Sequence, residues 1–260
     1  MTLVISNFNY VPVELSELVK QLGGVIYDQS NNINIRDKVL QSFPDCYIEA
    51  PHTGHNLSDY CEYIINNYYN LPKVVRLIKG NIYPRHFSSS SFFKVINRET
   101  YFPLYSKSET SKDRRICGNL CSNLYYELND PWYMQTKTAR YFSSYDDFMG
   151  FFFTNYISQR FIIFNPGACQ IVTREQITQY PIQFWQNLKH IITYSFFPAE
   201  AYVVERAFFS LFIGSYTLSR HAMIDLSSSD VLDERMDLVA SQIQNYRSLK
   251  MRIKRKLFIT

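Results

Sequence analysis

A single α/β domain, with a mostly parallel sheet flanked by helices in the Rossmann-like manner, is predicted by three features of the sequence. Short apolar runs rich in β-branched residues alternate with longer runs whose apolar residues recur at helical spacing, the pattern of βαβ units. The 260 residues, 46 % of them apolar, suffice for one sizeable core. No stretch is polar enough to stay disordered, so one domain over residues 1–260 is expected.

The first half supplies the alternation. "TLVISNF" reads as a core strand. "VELSELVKQLGG" places Val13, Leu15, Leu18, Val19 and Leu22 at helical spacing and stops at a glycine pair, and "VIYD" is the next strand. "LSDYCEYIINNYYNLP" puts Tyr60, Ile64, Tyr68 and Leu71 on one face, with Pro72 closing the helix before the strand "KVVRLIKG". Residues 98–148 are polar, charged and turn-rich. They read as a loop-rich insertion with short elements, the kind that carries substrate contacts in α/β enzymes.

Order returns with "RFIIFNPGACQIVT", two short strands around Asn165, Pro166 and Gly167. "REQITQYPIQFWQNLKHIITY" is helical with a break at Pro181, and "PAEAYVVERAFFSLFIG" is a strongly apolar helix. A last helix over about 229–257 starts with Ser and Asp and ends on cations, matching the macrodipole at both ends.

Composition narrows the classes. Five scattered cysteines fit a reducing compartment better than a disulfide framework, and the Cys117/Cys121 pair lacks a second pair at zinc spacing. No run approaches the roughly 20 apolar residues of a membrane helix, and the start has no signal-peptide pattern, so a cytoplasmic protein is expected. The net charge of +4 is concentrated at the end, where Lys250, Arg252, Lys254, Arg255 and Lys256 form a basic tail. That tail reads first as a solvated basic end, with peripheral contact with an anionic membrane as the other reading and nucleic acid not expected as a partner. The abundance of Tyr, Phe, Asn and Ile fits an AT-rich genome, viral or bacterial.

The glycine-rich dinucleotide, P-loop and nucleophile-elbow motifs do not occur. In an open parallel sheet, ligands sit beyond the carboxyl ends of the strands, which singles out Asn7 and Asn9, Asp28, and Lys79, Gly80 and Asn81. Asp28 suits either a ribose or base contact or a turn cap.

Four segments in series, "VISNFNY", "APHTGHNLSDYCEYIINNYYNLPKVVRLIKGN…PRH", "NPGACQIVTREQITQYPIQFW" and "AYVVERAFFSLF", resemble an uncharacterised group of glycosyltransferase-like proteins, formerly a domain of unknown function. The likeness runs over about residues 3 to 213. It implies a GT-A-like fold and an enzyme that moves a sugar from a nucleotide-sugar donor to a glycan or protein acceptor. The chain departs from the group at two points. His52, Gly54 and Asn56 stand where the group has N-x-G-x-E, and Asn7 to Tyr10 stand where it has R-Y-N-E. The strand ending at Lys79–Asn81 also lacks the D-x-D that holds Mn²⁺ or Mg²⁺ in metal-dependent GT-A enzymes.

Two ways to stabilise the leaving diphosphate follow from the resemblance. A metal could be held by Asp146 and Asp147, which equally suit a helix cap, or cations such as Lys79, Arg85 and His86 could replace the metal. His52, His55 and Asn56 are expected to hydrogen-bond the sugar or phosphate at a helix N-terminus, with metal ligation or a structural role as the other readings. Gly167 permits close backbone approach to the ligand. In the apolar helix, Glu205 is the expected base and Arg206 a donor contact, and an internal salt bridge is the alternative for this pair. The rival functions are a degenerate GT-A-like binding protein, and a membrane-surface or nucleic-acid-binding protein acting through the tail.

Overall fold

The computed structural model describes residues 2–87, 91–106, 116–121, 123–132, 137 and 139–257. In chain order the first elements are β1 (Thr2–Asn7), α1 (Ser16–Leu22), β2 (Gly24–Asp28), α2 (Ile33–Ser42), β3 (Tyr47–Glu49), α3 (His55–Asn67) and β4 (Val74–Lys79). Then come α4 (Ile82–Arg85), α5 (Ser91–Val95), β5 (Phe102–Pro103), β6 (Ile116–Cys121), β7 (Leu124–Leu128) and α6 (Tyr145–Phe152). The chain continues through β8 (Phe161–Phe164), β9 (Gln170–Thr173), α7 (Arg174–Thr178), α8 (Ile182–Ile192), α9 (Ala199–Ile213), α10 (Arg220–Met223) and α11 (Val231–Leu257).

The main sheet has the order β3-β2-β1-β4-β9-β5. β1 to β4 run parallel, and β9 is inserted antiparallel beside β4. β1 is central and reads as an unbroken apolar run because helices cover both faces of it. Its side chains alternate between two cores. Val4 packs with α3, α6, α8 and α9 on one face, while Leu3 and Ile5 pack with α1, α2 and α5 on the other. A second antiparallel sheet, β6-β7-β8, stands against α9.

Local signals explain most boundaries. Pro181 separates α7 from α8, and Thr173 with Gln176 forms a capping box at the start of α7. Arg76 is a charge buried in the middle of β4, and it donates to the carbonyls of Ile96 and Arg98, tying the segment after α5 to the sheet. Among the described residues, no helix is long and apolar enough to cross a membrane. Of the basic tail, residues 250–256 lie on α11, and their side chains fall outside the description.

Candidate functional site

From β1 the chain winds through α1 to β2 and then β3 on one side, and α3 returns it to β4 on the other side of β1. The carboxyl ends of β1 and β4 therefore flank a topological switch point, where open α/β sheets bind ligands. A small, partly open cleft lies there. Its floor comes from Ser6, Asn7 and Gln29, one wall from Lys79, Gly80, Asn81 and Arg85, and another from His55 and Asn56, with Phe8 and Phe196 also lining it.

Strand geometry fixes the floor. The Gly80 N–H donates to the Ser6 carbonyl at 2.8 Å, and a Cβ on Gly80 would come within 2.3 Å of Asn7 Oδ1, so any side chain there would displace the Asn7 amide. Asn7 Nδ2 donates to the Tyr10 carbonyl (2.7 Å) and to Asp28 Oδ1 (3.0 Å). The same carboxylate oxygen accepts from the Ser30 hydroxyl (2.5 Å) and N–H (3.1 Å). Asp28 is fully buried and lies outside the cleft lining, so it supports Asn7 rather than meeting a ribose or base. Asn9, at φ 50°, also lies outside the lining and stitches the loop after β1 to the start of α2 through Ser30, Asn31 and Asn32.

The α3 wall is strained backbone held by aromatic rings. Gly54 and His55 both have positive φ, and a Cβ on Gly54 would sit 2.7 Å from Ser58 Cβ. The His55 ring stacks on Phe197 at 4.7 Å. Asn56 donates through Nδ2 to the Gly167 carbonyl (3.0 Å), so its Oδ1 faces His55 Nδ1 at 2.6 Å as an acceptor. The His55 proton is therefore on Nδ1. Burial, and then the nearby Lys79 charge, pull the His55 pKa down to about 4, so the ring is neutral at physiological pH. His52 is exposed on the rim. It donates from Nδ1 to the Gln29 carbonyl (2.9 Å) and stacks on Phe196 at 3.8 Å.

The turn at Asn165–Gly167 lies behind the lining, and Gly167, His86 and Glu205 do not themselves line the cleft. Gly167, at φ 85°, donates its N–H to Glu205 Oε1 (2.7 Å), and a Cβ there would lie 3.2 Å from the His86 ring and 3.5 Å from Lys79 Nζ. His86, Lys79, Asn56 and Glu205 thus converge on one turn. His86 is buried and packs on Tyr105.

Two expected sites fall elsewhere. Arg206 follows Glu205 directly, yet successive helical residues point about 100° apart, and Arg206 turns toward the small sheet. There it forms a buried two-pronged ion pair with Glu127, flanked by Trp132 and Phe164, so it is not a donor contact. Asp146 and Asp147 occupy the first turn of α6, with Ser144 as its N-cap. Asp146 accepts from Asn129, Tyr156 and Ser158, and Asp147 from Ser143 and Arg235, and none of these residues lines the cleft.

The side chains lining the cleft are cations, amides, aromatic rings and the Ser6 hydroxyl. Among the described residues no carboxylate lines it, and that donor set does not fit Mn²⁺ or Mg²⁺. Half-buried Lys79 and exposed Arg85 stand in it without a carboxylate partner among the described residues.

One residue beneath the floor was not singled out by its sequence context. Asp59 of α3 is buried, with Oδ2 in hydrogen-bond contact with Ser6 Oγ (2.5 Å) and Oδ1 accepting from Gln29 Nε2 (2.8 Å). Burial pushes its carboxyl up to about 8, against the lowering effect of those two hydrogen bonds. An acid in the first turns of a helix reads in the sequence as a dipole partner, which hides it. Comparison with protein-family models, curated proteins and solved structures finds no match to this chain.

Proposed function

We propose that the cleft binds the diphosphate of a nucleotide-sugar donor and that the protein transfers the sugar to an acceptor hydroxyl. The observation that carries this reading is the pair of cations Lys79 and Arg85 at the switch point, which have no carboxylate partner among the described residues. A cation without a protein counter-ion in a cleft lowers its free energy by taking up an anion, and two of them suit the charge of a diphosphate. The resemblance of the sequence to glycosyltransferase-like proteins supplies the sugar.

In this reading the acceptor hydroxyl gives its proton to Glu205, held in place by the Gly167 N–H. The acceptor oxygen then bonds to the anomeric carbon as the bond from that carbon to the diphosphate oxygen breaks. The charge gathering on the leaving diphosphate is neutralised by Lys79 and Arg85, with the buried His86 behind them, in the place a divalent metal would take. Phe8 and Phe196 offer ring faces to the base or sugar.

The test is a thermal-shift screen with UDP-, GDP-, CMP- and dTDP-sugars, with and without Mn²⁺, followed by an assay for released nucleoside diphosphate. A ligand that binds only the folded state raises the melting point. At least one diphosphate sugar should do so without Mn²⁺ and be turned over; no shift with any donor would refute the reading.

A further inference from the structure

Asp59 is a buried carboxyl whose two partners, Ser6 and Gln29, are floor residues of the cleft. Asp59 itself also lines a second cavity, together with Tyr27, Glu49, Glu62 and Lys189. The carboxyl therefore stands between the anion cleft and a separate opening. At 2.5 Å the contact between Ser6 Oγ and Asp59 Oδ2 holds one proton, and its owner decides what Ser6 can offer the cleft.

We propose that anion binding in the cleft is coupled to a proton on Asp59, with Ser6 as the reporting donor. With Asp59 protonated, its Oδ2–H donates to Ser6 Oγ, and the Ser6 hydroxyl hydrogen is released to donate to an anion oxygen. With Asp59 ionised, the Ser6 hydroxyl must donate downward to Oδ2, the cleft loses a donor, and a negative charge sits directly beneath the anion. The proton is drawn from solvent through the second cavity and returns when the anion leaves, so atoms and charge balance. Asp59 is thus a positioning residue, acting through Ser6. This inference rests on the anion-binding reading of the cleft.

The groups around Asp59 are consistent with such a role. Glu62 on the same helix and Asp28 at the end of β2 both oppose its ionisation. Lys189 of α8 forms an ion pair with Glu62, and Glu49 of β3 lines the same cavity. The Tyr27 hydroxyl is held well above its ordinary range by burial, and His55 is already neutral, so neither exchanges a proton near pH 8. At neutral pH Asp59 holds its proton, which leaves the Ser6 donor available.

The experiment is calorimetric titration of the intact protein with inorganic diphosphate between pH 6 and 9.5, in buffers of different ionisation heat, for wild type, Asp59→Asn and Ser6→Ala. The asparagine mimics the protonated acid, since its Nδ2 donates to Ser6 and its Oδ1 accepts from Gln29. Wild type should gain proton uptake approaching about one per ion as the pH passes about 8, and lose affinity about tenfold per pH unit beyond that point, relative to Asp59→Asn. Titration of the ligand itself is common to all three proteins and cancels in the comparison. Ser6→Ala should bind several-fold more weakly at pH 6.5 and show a shallower pH dependence. Equal proton uptake in wild type and Asp59→Asn overturns the coupling alone. Absence of diphosphate binding at any pH overturns the cleft reading, and the coupling falls with it.

Discussion

Glu205 is anchored to Gly167 by a hydrogen bond of 2.7 Å, the carboxylate oxygen Oε1 accepting from the backbone N–H of a residue at φ 85°. A glutamine can accept the same bond through its own Oε1. Glu205→Gln should therefore keep the melting temperature and the donor affinity of wild type while turnover drops by about 10² to 10⁴, the usual contribution of a general base. Melting temperature and turnover measured on one preparation decide the matter. A variant that turns over at the wild-type rate removes Glu205 from the chemistry.

Arg206 makes the opposite prediction. Its guanidinium is buried against Glu127 and also donates to the Tyr202 carbonyl at 3.1 Å. Removing one partner leaves the other charged and dry, so Glu127→Ala should cost about 3 to 5 kcal/mol in urea unfolding. The double change Glu127→Leu with Arg206→Met should recover most of that loss. Donor affinity of the double variant should match wild type; a loss of affinity in a protein of wild-type stability would return Arg206 to the site.

Asp59 sets a pH dependence of stability. Its folded pKa of about 8 lies above the ordinary carboxyl value of 3.8, so between about pH 4 and 8 the folded protein holds a proton that the unfolded chain has released. Stability must fall as the pH rises through that window and level off above it. Asp59→Asn removes the slope, and its advantage over wild type should grow from near zero at pH 4 to several kcal/mol at pH 8, at about 1.4 kcal/mol per pH unit. Denaturant titrations at pH 4.5, 6 and 8 check this. Parallel curves for the two proteins would mean that the carboxyl is ionised across the range.

Periodicity made the frame legible. The apolar runs of β1, β2 and β4 and the helical spacing in α1, α3, α8 and α9 are strong signals, because each element buries a face. The rule that ligands meet strand ends points to Asn7, Lys79, Gly80 and Asn81, and these residues line the cleft. What stayed hidden depends on distant partners. α2 buries only Val39 along its length and so shows little apolar periodicity, although Asn32 accepting from Asn34 and Ile35 is an N-cap signal that could have found it. The three-residue β3 and the antiparallel direction of β9 are set by neighbours in the sheet. Glu127 lies 79 residues before Arg206 in a region read as loops, so the helical pair Glu205–Arg206 looked self-contained.

The central claim is that Lys79 and Arg85 hold a diphosphate at the junction of β1 and β4. Calorimetric titration of a nucleoside diphosphate into wild type and into the Lys79→Ala, Arg85→Ala double variant tests it most directly. Each charge-assisted hydrogen bond contributes about 1.5 to 3 kcal/mol, so the double variant should bind at least about a hundredfold more weakly while its melting temperature stays at the wild-type value. Equal affinity in the two proteins would contradict the account.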